Sequence, residues 1–235
     1  MPEYDPLKKF GGKEGADWRY FAQDFMEHRQ PHWMSIYYQC SVAAQRPDIT
    51  SVLEFGGGRD VTRTLMRHIG LDYTSVDAID RFYPDVVSTI DDFPFDGKTY
   101  DMVCSFQCLE HNPYENVPGM LKHMARFSGK YVYISVPYSG AWFGLSWTLR
   151  IPFRSWSKTI TFTADGLGGR AIDSRPFHQL PKEAQFAKHW WEVGRPGLPK
   201  KRFIRMAETA MDMRLIDMMH NPHMPHHLFL LFSRP

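Results

Sequence analysis

Short apolar runs recur along the chain, separated by polar turns rich in glycine and proline. Between them lie stretches with apolar residues at helical spacing. Ser51–Phe55 is the first clear run, and it leads directly into Gly56, Gly57 and Gly58. Val61, Leu65, Met66 and Ile69 then mark one face of a helix, which Asp60 or Thr62 caps and Gly70 ends. Tyr73–Asp77 reads as a second strand, Val86-Val87 as a weak third and Tyr100–Ser105 as a fourth. Asp91-Asp92-Phe93-Pro94-Phe95 with Asp96-Gly97 is a loop and turn. A helix starts near Asn116 with Pro118 in its first turn, presents Val117, Met120, Leu121, Met124 and Ala125, and stops at Gly129. Tyr131–Val136, closed by Pro137, is almost continuously apolar, as strands covered on both faces are. Strand, glycine turn, helix, strand is a βαβ unit, so the pattern predicts a parallel sheet.

The flanking segments read differently. Residues 1–16 are a polar lead-in, and Asp17–Gln45 is helical in two pieces broken near Pro31. Trp18, Phe21, Ala22 and Phe25 recur at helical spacing, then Trp33, Tyr37, Cys40 and Ala44. Such helices pack on the sheet edge or form a lid. From Tyr138 to about Leu198 strict alternation fails and Trp, Phe, Gly, Pro and Arg are frequent, so an inserted aromatic cap is expected. Phe203, Ala207, Ala210 and Met211 mark a last helix. Arg214–Met219 and Leu228–Phe232 are strands, and their short joint His220–His227 requires an antiparallel hairpin. The expected fold is α/β: a Rossmann-like, doubly wound, seven-stranded sheet, mostly parallel with an antiparallel last strand. Its segments are a lead-in or lid (1–45), a cofactor-binding core (46–137), the cap (138–198) and a closing helix and strand pair (199–235).

Composition narrows the function classes. The chain has 235 residues, 43% of them hydrophobic and 15% aromatic. The tryptophans Trp142, Trp147, Trp156, Trp190 and Trp191 all follow residue 137, so the aromatic excess belongs to the cap. Net charge is +2, with no basic run of the kind that grips nucleic acid. Three cysteines, Cys40, Cys104 and Cys108, make no disulfide framework and suit a reducing compartment. No apolar stretch is long enough for a membrane-spanning helix, and the start of the chain lacks a basic and apolar leader. A cytoplasmic protein is expected.

The chemistry gathers at the glycine turn. Glycines without Cβ atoms let a ligand approach the backbone, and the N–H groups of the following helix start face it. Glu54 stands at the carboxyl end of the strand, where open α/β sheets place their ligands. Asp77 follows Gly58 by 19 positions, a spacing that suits a carboxylate on ribose hydroxyls. A nicotinamide-dependent dehydrogenase shares these two features. Its pyrophosphate, however, is repelled by Glu54, whereas a cationic, ammonium-bearing cofactor is attracted.

Taken in order, Val-Leu-Glu54-Phe-Gly56-Gly57-Gly58, Asp77, Asp92-Phe-Pro-Phe, Tyr100-Asp101 and Leu109-Glu110-His111 resemble the motifs of the class I S-adenosylmethionine-dependent methyltransferases, in the small-molecule, type 11-like branch. The likeness covers residues 45–137 well and 199–233 in outline. It implies S-adenosyl-L-methionine as cofactor, with Glu54, Gly56, Gly57, Gly58, Asp77, Ala78, Ile90, Asp91, Asp92 and Phe93 around it. Two departures stand out: Asp60 replaces a third glycine, and Thr89 replaces the acid four residues before Phe-Pro-Phe. Adenine recognition then falls to Asp91, Asp92 or the backbone around Ile90.

The acceptor side is less defined. His111 is either a base or a hydrogen-bonding support. His189-Trp190-Trp191-Glu192 offers an imidazole and a carboxylate among aromatics, suited to a sugar or a ring, or else simply packs the cap. His178 and Tyr138 are weaker candidates. The spacing of His220, His223, His226 and His227 matches no tetrahedral metal site, and its prolines favour a rigid turn that can reach the acceptor pocket. A small-molecule or saccharide-like acceptor is expected, without a metal. The alternatives are a non-catalytic cofactor binder and the dehydrogenase.

Overall fold

The structure, a computed structural model, describes residues 30–58, 60–167 and 189–235, with the side chains of Asp60 and Arg81 left aside. The lead-in, the Trp18–Phe25 helix piece and His178 lie outside the described residues. In chain order the elements are α1 (Gln30–Gln45), β1 (Ser51–Phe55), α2 (Asp60–His68), β2 (Asp72–Asp77), β3 (Val86–Val87), β4 (Tyr100–Phe106), α3 (Val117–Phe127), β5 (Ser128–Pro137), β6 (Ala141–Ile151), β7 (Arg154–Ala164), α4 (Lys200–Met211), β8 (Arg214–Asn221) and β9 (Met224–Ser233).

Seven strands form one sheet in the order β3-β2-β1-β4-β5-β9-β8. The first five are parallel, and β9 runs against both its neighbours. Consecutive residues of the central strands feed opposite faces. Leu53, Val103, Ile134 and Leu230 enter the core under α3 and α4, whereas Val52, Met102, Tyr133 and Phe229 enter the core on the α1 and α2 side. Both faces are dry, which explains the unbroken apolar runs. Asp101 locks the other end of the sheet: its Oδ2 accepts from the backbone N–H groups of Thr50 (2.8 Å) and Ser51 (3.2 Å), and Lys130 Nζ lies 2.9 Å from Oδ1.

Several local expectations are corrected. In α1 the buried residues are Ser35, Ile36 and Ala43, while Trp33 and Tyr37 face outward. The helix meets α2, β8 and β9, so its inner face is set by those neighbours rather than by its largest side chains. In α2, Met66 and Thr62 are buried and Leu65 is exposed, as is Ile69 just past its end; Thr62 donates to Gln39 of α1 (2.8 Å) and is no cap. Helix α3 ends at Phe127, and Gly129 already belongs to β5, where a Cβ would stand 3.3 Å from the Tyr100 carbonyl oxygen. The β8–β9 joint tightens to Pro222 and His223.

Within the expected cap, alternation does not fail; it runs through a hairpin. Phe143, Leu145, Trp147, Leu149 and Ile151 alternate with Gly144, Ser146, Thr148 and Arg150, and β7 continues with Trp156, Ile160 and Phe162 between Ser and Thr. The register sets Phe143 opposite Phe162, Leu145 opposite Ile160 and Leu149 opposite Trp156. Opposed residues share a face, so β6–β7 is a ribbon with an apolar side and a hydroxyl-rich side.

Candidate functional site

Because β1, β2, β4 and β5 are parallel, their carboxyl ends share one edge of the sheet. Strand order reverses between β1 and β4, and the residues following these two strands meet there. Gly56 takes φ +72°, and a Cβ on it would stand 2.3 Å from Cys108 Sγ, so the bare backbone is packed directly under the turn after β4. Gly56 N–H donates to the Val76 carbonyl (2.8 Å) and Gly58 N–H to Asp77 Oδ2 (2.9 Å). Asp77 Oδ1 accepts from Ile79 N–H (2.8 Å). Burial raises the Asp77 carboxyl, and these two N–H groups work against it. Asp77 therefore braces the glycine turn as well as standing beside it.

Glu54 lies beneath that turn, 2% exposed, and among the described residues its Oε2 has no hydrogen-bond partner. Burial pushes its carboxyl up to about 8, Asp77 adds to this, and Arg63 opposes it. A buried acceptor left unsatisfied is costly. A cationic ligand over the turn relieves that cost, so these residues fit an ammonium-bearing cofactor. Gly57, Gly58, Ser75 and Asp77, with Arg63, Tyr73, Phe82 and Pro84, line a shallow hollow open to solvent.

The remaining residues expected around the cofactor are dispersed in character. Ala78 is exposed directly after Asp77, and Ile90 is buried. Asp91 and Asp92 are exposed; Asp92 Oδ2 accepts from Thr89 Oγ1 (2.7 Å), and Thr89 Oγ1 accepts from Asp92 N–H (3.1 Å). Phe93 packs against Phe55 and Phe127 (ring centroids 5.6 and 5.2 Å). None of Ile90–Phe93 lines the hollow.

On the acceptor side the structure gathers residues from three segments. The turn Leu109–His111 follows β4, and Trp190 N–H donates to the Glu110 carbonyl (2.8 Å). Val193 N–H donates to the Pro137 carbonyl (2.9 Å), and Ser139 N–H to the Val193 carbonyl (2.8 Å). Residues 190–193 are thus stitched between the ends of β4 and β5. This brings the His189 ring to 5.2 Å from that of His111. His189 Nδ1 lies 2.9 Å from Glu192 Oε1, and Glu192 Oε2 accepts from Ser139 Oγ and from Arg195 Nε (3.4 Å). Burial pushes the Glu192 carboxyl up, but the His189 hydrogen bond and the charges of His226, His189 and Arg195 outweigh it and hold the group below its usual range. The ionised carboxylate in turn fixes His189 with its proton on Nδ1.

The structure brings His111, His189 and Glu192 together and adds four neighbours that sequence reasoning did not group with them. Glu110 is fully buried, and among the described residues no other residue hydrogen-bonds its carboxylate; burial pushes it up to about 7, against His189 and its own backbone N–H and with Glu192. Ser139 and Arg195 hold Glu192, and the His226 ring stacks on His189 at 6.2 Å. The signal for Glu110 was its place in Leu-Glu-His, and that for His226 was the proline-braced joint expected to reach the acceptor pocket, although no single histidine in it was singled out. Of the histidine-rich joint, His220 Nδ1 pairs with the Pro225 carbonyl (2.8 Å), and His226 Nδ1 with the Tyr138 carbonyl (3.0 Å). Tyr138 itself donates to Asp165 Oδ1 (2.8 Å), a structural bond.

The fold recurs in solved structures of other proteins. DesVI of Streptomyces venezuelae superposes with a TM-score of 0.57 at 11% identity, covering 94% of this chain and 100% of that one. The sugar N-methyltransferase KedS8 from a Streptoalloteichus species gives 0.54 at 14% identity, covering 96% and 95%. Magnesium protoporphyrin IX methyltransferase from Synechocystis, with bound S-adenosylmethionine, gives 0.54 at 12% identity, covering 97% and 89%. At such identities the likeness shows the fold alone. No curated protein matches the chain in sequence. The family model described as a methyltransferase domain matches residues 14–192, well over half of the chain. The chain therefore belongs to the methyltransferase-domain family and is a class I S-adenosylmethionine-dependent methyltransferase.

Proposed function

We propose that this methyltransferase acts on a small or saccharide-like acceptor held between the turn after β4 and the segment 189–195. The supporting observation is the group of His111, His189 and Glu192, assembled from segments far apart in the chain on the turn whose Cys108 packs against Gly56. Two of the structurally similar proteins carry acceptor names of this class, a sugar N-methyltransferase and a magnesium protoporphyrin IX methyltransferase. When bound, S-adenosylmethionine supplies an activated methyl group on its sulfonium. The chain's own residues bind and align. Glu54 faces the cationic end of the cofactor, Gly56, Gly57 and Gly58 admit it to the backbone, and Asp77 with Ala78 takes the ribose. Ile90, Asp91, Asp92 and Phe93 form the adenine side. Asp92 is committed to Thr89, which leaves the backbone of this loop and Asp91 as the recognising groups.

Alignment is most of the catalysis in such a transfer. A hydroxyl acceptor additionally loses a proton. With Nδ1 donating to Glu192, His189 Nε2 carries the lone pair that takes it, and His111 flanks the same site. The three free thiols, Cys40, Cys104 and Cys108, support a reducing, cytoplasmic setting.

Two measurements test this. Calorimetry with S-adenosylhomocysteine should give saturable heat for the full chain, and Asp77→Ala should weaken it at least tenfold; unchanged affinity removes Asp77 from the site. Radiolabelled methyl transfer into a panel of small metabolites and sugars should succeed with the native chain and fall at least a hundredfold in His189→Ala. Label entering only macromolecules overturns the acceptor class.

A further inference from the structure

We propose that Glu110, His111 and His189 bind a divalent transition-metal ion at the acceptor end of the site. The inference rests on that site reading and deepens it. One ligand atom from each of the three lies within 4.8 Å of the others. His111 Nε2 stands 4.0 Å from Glu110 Oε1, beyond hydrogen-bond reach. Donor atoms sharing one ion at about 2.1 Å lie roughly 3–4 Å apart, so closing on an ion asks only for small side-chain rotations.

The decisive observation is Glu110. It is fully buried, and among the described residues its carboxylate oxygens have no hydrogen-bond partner on any other residue. Buried carboxylates in proteins are paired, hydrogen-bonded or on a metal. The backbone around it is fixed, because Trp190 N–H holds the Glu110 carbonyl and Trp191 Nε1 donates to the Asn112 carbonyl (3.0 Å). The second observation is Glu192, which accepts from His189 Nδ1 at 2.9 Å. A carboxylate on the far nitrogen of an imidazole is the arrangement that orients metal-bound histidines. Ser139 and Arg195 hold Glu192 in turn.

A second grouping, His189, Glu192 and His226, has the same spacing. It is the weaker site: Glu192 already accepts from three donors, and His226 Nδ1 is engaged by the Tyr138 carbonyl. Two imidazoles and one carboxylate favour zinc, iron, cobalt or manganese over magnesium or calcium. Three protein ligands leave positions open, as in sites that bind a substrate oxygen. An ion on the remaining His189 nitrogen takes the place of that ring as base, because it would lower the pKa of an acceptor oxygen bound at an open position.

The test uses tag-free full-length chain, stripped by chelator and dialysed. Titration with Co2+, followed by its visible absorption, and calorimetry with Zn2+ should show one ion per chain in the micromolar range or tighter. Glu110→Gln and His111→Asn should each weaken binding at least tenfold, and His223→Ala, on the exposed turn, should leave it unchanged. S-adenosylhomocysteine affinity, measured on the same samples, reports folding and the cofactor site separately. No ion bound by a chain that still binds S-adenosylhomocysteine overturns the metal and leaves a neutral buried carboxyl. Binding that survives Glu110→Gln but falls in His223→Ala assigns the ion to surface histidines and also overturns it.

Discussion

Gly56 is the residue on which two strands meet. Its φ of +72° disfavours any side chain, and Cys108 Sγ occupies the place a Cβ would take. Gly56→Ala should therefore cost about 2–4 kcal/mol from the combined backbone and overpacking penalties. Urea unfolding measures it, and adding Cys108→Gly should restore part of the loss, because the thiol clash goes and the φ penalty stays. An additive double mutant would mean that Cys108 is not the obstacle. Burial pushes the Cys108 thiol up to about 12, with Glu110 and Asp77 adding to it, so this cysteine packs as a neutral group. The glycine run announced this turn from the sequence, because no other residue type suits it. The thiol beneath it was hidden, since Cys108 lies far along the chain and contact across a sheet leaves no local pattern.

At the scale of elements, α3 and the parallel strands were legible because each buried face belongs to one regular period. Val117, Met120, Leu121, Met124 and Ala125 are all buried as spaced. α1 and α2 were misjudged because exposed Trp33, Tyr37, Leu65 and Ile69 imitate an inner face. The β6–β7 ribbon was overlooked for the opposite reason: Ser and Thr between large apolar residues look like loop when they are good strand formers. The ribbon packs closely on no other described element. Ala141 pairs with Ala164, so its two ends are adjacent. Replacing residues 143–162 with a short Gly-Ser turn should shift the melting temperature by less than about 4 °C, the equivalent of roughly 1 kcal/mol in a domain of this size. Trp142 and Thr163 stay, which preserves the contact of Lys200 Nζ with Thr163. Scanning calorimetry decides it, and a loss of cooperative unfolding would show that the ribbon belongs to the core.

Across the whole molecule, the start of the described chain is clamped to the closing hairpin of the sheet. Asn221 Nδ2 donates to the Pro31 carbonyl (2.9 Å) and to Ser35 Oγ (2.7 Å), and Ser35 Oγ meets His227 Nδ1 at 2.8 Å. Burial pushes His227 down to about 3 from its usual 6.5, with His226, His32 and His189 adding to it. Between these values the unfolded chain holds a proton that the folded chain does not. Stability is thus lost as pH falls from about 6.5 towards 3, by up to about 1.4 kcal/mol per pH unit from this group. Glu54 and Glu110, raised to about 8 and about 7, act with the opposite sign above 4.5, because there the folded state holds the extra proton. Their contributions cancel in a difference between two chains that both retain them. His227→Asn keeps an acceptor for Ser35 and removes the titration. The urea midpoint of the native chain relative to that of the variant should therefore drop as pH goes from 7 to 5, whatever the sign of either slope. Parallel slopes would show that the ring already takes its proton within the folded clamp.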